Sequence, residues 1–465
     1  LRRDPRWPEK IRMFHPDVFR SGRGFPRSRS EHFFKRGRRV FPTGITRVTV
    51  DHEPSPLYIS RGEGAYLIDV DGNRLLDLNN NFTTLIHGHG FLPVADAVAD
   101  LLHRGTCFSN PTEHEITLGE LLIERIPALE HIRFVNSGTE AVMFAIKAAR
   151  AFTCRPGIAR IEGAYHGAYD WAETGQAVSP AMWNDPPQSL AVPAYRGMPP
   201  SVGEEVTVIR FNDIADLERR IAAAAPSLAC ILIDPMPSRA GLIAPEPSFF
   251  AAVEAIAKQY GILIVADEVL NLRQSYLGAS ARYGLHPDLI AAGKIIGGGF
   301  PVGAIGGRKE VMRVFASDSG KPLLPQGGTF SANPVSMVAG RVAMEAMTDG
   351  AFASLESLGD RIRAGLRREI ERHGAAFSVT GAASLFRIHP KGKQPTDFRE
   401  AYLAPGEAEL MGRLSRHFLN CGILLPNGAA ACLSTAMTTA DGDAVISAFA
   451  DFLSILEATP TEAGM

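Results

Sequence analysis

The sequence predicts an α/β protein: a mostly parallel sheet in a large domain, with a smaller α+β domain beside it. Between about residues 130 and 310, short apolar runs alternate with helical segments, the pattern of a sheet covered on both faces by its crossover helices. After residues 327–334 that alternation ends, and a long helical stretch leads into a shorter set of strands. At 465 residues the chain exceeds what one compact core usually holds. The expected division is an N-terminal arm and part of the small domain over 1–60, a large domain over 61–335, and the rest of the small domain over 336–465.

The elements follow in order. Residues 1–40 carry thirteen basic residues against four acids. Pro5, Pro8, Pro16 and Pro26 speak against the amphipathic helix of a transit peptide, so a basic arm lying on the protein or on a partner subunit is expected. Within 57–78, Asp71-Gly72 separates two apolar runs and predicts a hairpin. Helical periodicity marks 91–104 and 113–125. Strands are expected at 132–135, 158–161, 206–209, 230–234, 262–267 and 302–306, with an Ala-rich helix at 141–152. A long helical stretch is expected over 335–373, then strands near 383–388 and 423–426 and a last helix at 441–456. The formal net charge of −2 gives no support for nucleic-acid or membrane binding, and no apolar run approaches the roughly 18 residues of a membrane span. Cys107, Cys154, Cys230, Cys421 and Cys432 are scattered, without metal-site or disulfide spacing, which fits a reducing cytosol and no metal.

Chemistry concentrates in two stretches about thirty residues apart. Residues 262–269 form an apolar run ending in Asp267-Glu268-Val269, a buried strand that delivers charge at its end. Residues 292–299 place Lys294 before Gly297, Gly298 and Gly299, an amine that a flat group can approach closely. An acid near a reactive lysine is what pyridoxal phosphate requires: the lysine forms the imine and the acid keeps the ring nitrogen protonated. A carboxylate at the end of so apolar a strand needs a partner, and a pyridinium N–H is one; a helix cap or an internal ion pair is another. Asn136-Ser137-Gly138-Thr139-Glu140 lies between a strand and a helix, where free N–H groups favour an anion. Alone it reads as an ordinary N-cap. Tyr165-His166-Gly167 follows another strand and offers an aromatic face, although by itself it reads as a packed loop tyrosine. The order of these motifs, each after an apparent strand, outweighs the simpler readings, because open parallel sheets bind ligands at that edge.

Taken together, Asn-Ser-Gly-Thr-Glu-Ala (136–141), Tyr-His-Gly (165–167), Asp-Glu-Val (267–269), the run from Pro287 to Gly299 and Gly-Gly-Thr-Phe-Ser-Ala-Asn-Pro (327–334) resemble class III pyridoxal-phosphate aminotransferases. Within them the chain is similar to the group of glutamate-1-semialdehyde 2,1-aminomutase and the β-amino-acid transaminases, from about Gly44 to Leu456. The resemblance implies a fold-type I homodimer with active sites at the subunit interface. It implies Lys294 as Schiff-base lysine and proton shuttle, and Asp267 against the ring nitrogen. Val269 and Tyr165 would sandwich the ring, with His166 beside them in the cofactor site. Ser137, Gly138 and Thr139 would hold the phosphate, and Thr329 would reach the phosphate of the other subunit's cofactor. Departures shape the rest. The segment after Asp-Glu-Val is Leu270-Asn271-Leu272-Arg273, one residue shorter than in the aminomutases and closer to the transaminases. Arg47 falls where β-amino-acid transaminases bind a substrate carboxylate, while Pro426-Asn427-Gly428 replaces their second, C-terminal arginine. Arg239 falls near the cofactor's phenolic oxygen, as an anchor for that oxygen or for substrate, or else as a surface arginine. The expected function is amino transfer from an amino acid or amine, with β-amino acids foremost, to a keto acid or aldehyde. An intramolecular aminomutase is the alternative. A non-catalytic binding protein on the same fold would be expected to lose Lys294 or Asp267, and both are present.

Overall fold

The computed structural model describes residues 26–47, 55–183, 191–317, 320–428 and 430–458. The first strands are β1 (Ile59–Glu63), β2 (Tyr66–Asp69) and β3 (Arg74–Asp77). The central strands are β4 (His131–Val135), β5 (Gly157–Ile161), β6 (Val206–Ile209), β7 (Leu228–Ile233), β8 (Leu263–Asp267), β9 (Leu289–Gly293) and β10 (Gly303–Gly307). The C-terminal strands are β11 (Ser378–Thr380), β12 (Leu385–His389), β13 (Ile423–Leu424) and β14 (Ala431–Cys432).

β4–β10 form a seven-stranded sheet in the order β4-β10-β9-β8-β7-β5-β6. All neighbours are parallel except β10, which runs antiparallel to both β4 and β9. The connection 294–302 between β9 and β10 is too short for the crossover a parallel neighbour needs, so the chain turns back. β5, β7, β8 and β9 are buried along their whole length. They therefore read as continuous apolar runs rather than alternating ones. The helix Gly138–Thr153 packs over β7, β9 and β10 through Ala141, Ala145, Ala148 and Ala149, small side chains that let it approach closely. The six expected central strands are all present within two residues. β9, Leu-Ile-Ala-Ala-Gly, joins them and delivers Lys294.

The smaller unit draws on both ends of the chain. β1, β2, β3 and β13 form one sheet, with β13 parallel to β3. The boundary expected at residue 60 thus falls inside β1. The hairpin at Asp71-Gly72 is present, with Gly72 at φ +91°, a conformation open to glycine. β11, β12 and β14 make a second, antiparallel sheet. The expected helix over 335–373 is two helices, Pro334–Ala346 and Asp349–Arg372. Thr348 separates them, its hydroxyl accepting from Ala351 N at 3.2 Å as an N-cap. The expected strand at 423–426 shrinks to two residues, and the helix Pro405–Asn420 precedes it without having been anticipated. Of the Arg-rich arm, residues 1–25 lie outside the described part. The rest forms the helix Ser28–Gly37, docked on the hairpin where Asp71 accepts from the N–H groups of Arg29 (2.8 Å) and Ser30 (3.0 Å). Among the described residues no helix is long and apolar enough to cross a membrane, and no cluster of metal-binding side chains occurs.

Candidate active site

The C-terminal ends of β4, β5, β7, β8 and β9 bring the expected motifs to one edge of the large sheet. Lys294 follows β9 directly and begins a tight turn to Gly297. Its φ of +51° is a left-handed conformation that a side-chain-bearing residue adopts at a cost, and such strain collects at functional sites. Burial pushes the Lys294 amine below its ordinary pKa, while Asp267 and Asp234 partly oppose this. Asp267 is buried at the end of β8. Its Oδ1 accepts from Val269 N at 3.0 Å, and its Oδ2 lies 2.7 Å from His166 Nδ1. Burial drives the His166 pKa down despite that carboxylate, so the neutral ring donates its Nδ1 proton to Asp267. Glu268 turns the other way and accepts from the N–H groups of Ala279 and Ser280. It is a cap for the next short helix, and the two acids of the motif therefore do different work. Asp234, at the end of β7, accepts from Met236 N at 2.9 Å and from Asn271 Nδ2. Burial, with Asp267 nearby, raises its pKa well above the carboxylate range and favours the neutral acid.

The anion cup forms where β4 meets the helix Gly138–Thr153. Ser137 is an N-cap, its Oγ accepting from Glu140 N at 3.1 Å, and Glu140 accepts from Asn136 N at 3.0 Å. The ordinary capping role is thus real. It still leaves the N–H groups of Gly138 and Thr139 without a partner among the described residues. A Cβ on Gly138 would lie 2.7 Å from Val269 Cγ1, and one on Gly293 would lie 3.4 Å from the same atom. Val269 therefore sits between the helix start and the end of β9, in the seat both glycines keep open. Thr139 Oγ1 accepts from Ala168 N at 3.3 Å and packs against Gly167, which locks the cup to the loop carrying Tyr165 and His166. These features fit pyridoxal phosphate: free N–H groups for a phosphate, a valine seated against two glycines to face a ring, a carboxylate for its nitrogen and an amine for its aldehyde.

Sequence reasoning missed Arg160. It is fully buried in β5 and donates to the carbonyls of Ala164, Ala172 and Ile161. Two of those carbonyls flank Tyr165-His166, so Arg160 clamps both sides of that loop. Burial pulls its pKa to about 9, with Glu173 and Asp267 opposing. Its position inside Gly-Ile-Ala-Arg-Ile was the available signal. Arg399 secures the start of the same loop, donating to buried Glu162 through Nε at 3.0 Å and Nη2 at 3.1 Å.

The expected substrate residues stand on two different loops. Tyr165 is half exposed, and the Arg239 guanidinium stands 4.9 Å from its ring centroid. Arg47 is exposed and donates to Asn81 Oδ1 at 2.8 Å, with Phe82 beneath its guanidinium at 5.6 Å. Its platform was not anticipated: Asn80, Asn81, Phe82 and Thr83 all have positive φ, a left-handed turn without glycine. Asp77 accepts from the N–H groups of Asn79 and Asn80, and buried Arg273 donates to Thr83 O at 3.0 Å. Thr329 does not join Lys294 within the chain. It is exposed in a surface cleft with Phe108, Asn110 and Ser331, although neighbouring Gly328 approaches Asn136 at the cup.

Residues 48–423 match the family model for aminotransferase class-III. The glutamate-1-semialdehyde 2,1-aminomutase of Desulforudis audaxviator is 38% identical over 395 residues, covering 84% of this chain and 88% of that one. Among solved structures, an omega-transaminase from Sphaerobacter thermophilus shares 45% identity at a TM-score of 0.88, over 94% of this chain and 99% of that one. A β-phenylalanine aminotransferase from Variovorax paradoxus shares 31% at 0.83, over 92% and 94%. By the family match and these relatives, the chain belongs to the class III aminotransferases, enzymes that work with pyridoxal phosphate.

Proposed function

We propose that this aminotransferase holds its cofactor through Lys294 and takes its amino group from a carboxylate-bearing donor, a β-amino acid foremost, for delivery to a keto acid or aldehyde. The observation that carries this is the placement of Lys294, with a depressed amine pKa, facing Asp267 at the end of β9. Bound there, pyridoxal phosphate supplies an electron sink for the carbon that loses its proton. Lys294 Nζ takes that proton and returns it, which a buried amine of lowered pKa suits. Asp267, oriented by the Nδ1–H of His166, provides the counter-charge for the ring nitrogen. The N–H groups of Gly138 and Thr139 and the hydroxyls of Ser137 and Thr139 hold the phosphate, while Val269 and Tyr165 face the ring. Arg47 and Arg239 are the candidate carboxylate anchors, and Arg can grip such a group with two parallel hydrogen bonds. The resemblance to a β-phenylalanine aminotransferase supports the donor class. The exposed cleft at Thr329 supports a homodimer in which each subunit completes the other's phosphate site. Five free cysteines support a cytoplasmic setting. The aminomutase reading rests on the curated relatives; it requires that one molecule be both amino donor and acceptor, with no separate carbonyl acceptor consumed.

Borohydride reduction of the purified protein should fix a pyridoxyl group on Lys294. A label mapped to another lysine refutes the assignment. Arg47→Ala should raise KM about tenfold or more for a β-amino acid while sparing an arylalkylamine, since one charge-assisted contact contributes ~1.5–3 kcal/mol. Equal loss for both donors would make Arg47 structural.

A further inference from the structure

β7 ends at the site, and residues 234–243 lead from it toward the helix Pro247–Tyr260. This loop begins with Asp234, near Asp267, and carries Arg239. Arg239 is exposed and Ser238 is half-buried, while the other residues of the loop are buried. Gly241 at φ +113° and Leu242 at +54° turn the chain back. Within the loop, Leu242 N donates to Pro237 O at 3.0 Å and Gly241 N to Ser238 O at 3.4 Å.

The smaller unit supplies further donors to this loop of the large sheet. Arg387 Nη1 donates to Ser238 O at 2.7 Å and to Arg239 O at 3.4 Å. Thr380 Oγ1 donates to Gly241 O at 2.8 Å, and His389 Nε2 lies 3.1 Å from the same oxygen. A carbonyl can only accept, so Nε2 carries the proton. Ala430 N, just before β14, donates to Ser238 Oγ at 3.1 Å. Arg387 and His389 are two positions apart on β12, and Thr380 pairs with Arg387 across β11, so the three side chains share one face.

Arg387 is 8% exposed, and burial pulls its pKa to about 10 with no acid opposing. A guanidinium buried without a carboxylate is costly, and its hydrogen bonds among the described residues both go to this loop. The two carbonyls belong to the peptides before and after the Arg239 Cα. One guanidinium therefore fixes the backbone from which the Arg239 side chain leaves, and that side chain ends 4.9 Å from the Tyr165 ring centroid.

We propose that Arg387 is a positioning residue for substrate choice: with Thr380 and His389 it sets the Arg239 backbone from the smaller unit, so that the Arg239 guanidinium stands over Tyr165 to meet the donor's carboxylate. The inference rests on the reading of Arg239 as a carboxylate anchor.

Holoenzymes carrying Arg239→Ala, Arg387→Met or both changes test this with two donors, β-phenylalanine and α-methylbenzylamine, which lacks the carboxylate. Arg239→Ala should raise KM for β-phenylalanine roughly tenfold, the worth of one charge-assisted contact, and spare the amine. Arg387→Met should raise the same KM, spare the amine, and add nothing in the Arg239→Ala background, because the two residues act through one contact. Backbone hydrogen exchange at Gly241 and Leu242 should quicken in Arg387→Met. Thr380→Val removes one donor to Gly241 O and should act in the same direction more weakly; it decides if Arg387→Met does not fold. Additive losses in the double variant, equal losses for both donors in Arg387→Met, or unchanged exchange would overturn the proposal. Arg239→Ala that spares both donors would instead remove the anchor reading, and the exchange at Gly241 and Leu242 alone would then decide whether Arg387 places this loop.

Discussion

The placement of Lys294 and Asp267 could be read from the sequence because each stands at the end of an apolar run. Arg160 was missed, because a lone arginine in a short strand reads as a solvent-facing position even where the rest of the strand is apolar. Its clamp yields a prediction. Arg160→Met leaves the carbonyls of Ala164 and Ala172 without their donor, a loss of roughly 1–3 kcal/mol for each buried group left unpaired. In the cofactor-free protein, backbone hydrogen exchange over 164–172 should rise, and the reconstituted enzyme should release cofactor faster. Arg160→Lys should recover part of both effects, and unchanged exchange in Arg160→Met would show that the loop needs no clamp. His389 yields another. Its folded pKa of about 3 lies below the ~6.5 of an unfolded histidine. As pH falls through ~6.5 the unfolded chain takes up the proton first, so this residue withdraws stability progressively down to about pH 3. By pH 5 the withdrawal amounts to about 2 kcal/mol. Urea unfolding of His389→Phe should show a flatter loss of stability between about pH 6 and pH 4 than the unmodified protein shows; parallel slopes would place the acid sensitivity elsewhere.

The elements divide along similar lines. Strands buried on both faces announce themselves as apolar runs, and the hairpin announces itself through Asp71-Gly72. The break at Thr348 was hidden because the segments on both sides of it are helical, and the cap at Thr348 is what separates them. The left-handed turn Asn80–Thr83 was hidden more deeply, since left-handed backbone is usually signalled by glycine and this turn contains none. Each such residue costs roughly 1–2 kcal/mol, less for asparagine, and the Asp77 and Arg273 hydrogen bonds hold the turn in place. Asn81 is exposed, so its substitution probes the backbone without disturbing the core. Asn81→Val should lower stability by about 1–2 kcal/mol in thermal unfolding, while Asn81→Gly should be nearly neutral. Both remove the acceptor that holds Arg47 and should raise KM for a carboxylate donor alike. Equal stability of the two variants would mean that the turn is not left-handed in solution.

At the scale of the molecule, the α/β class was legible from alternation alone. The pairing of the two ends was not, because β13 is only two residues long. The active site also extends beyond one chain in the proposed dimer, which subunit mixing can test. Lys294→Ala and Thr329→Ala homodimers should each be impaired. Exchange between them yields hybrids in which one site has both groups intact and the other has neither, so activity should reappear. Verified exchange with no recovered activity would count against a shared phosphate site. The parallel pairing of β3 with β13 has one more consequence. β3 ends at Asp77, and its partner begins at Ile423. At the ~5–20 residues per second of ribosomal synthesis, that edge of β3 waits roughly 20–70 s for its partner to be made. The first strands to leave the ribosome are thus among the last to be completed, and a nascent chain arrested before residue 423 should offer proteases and chaperones an open strand edge that the finished enzyme hides.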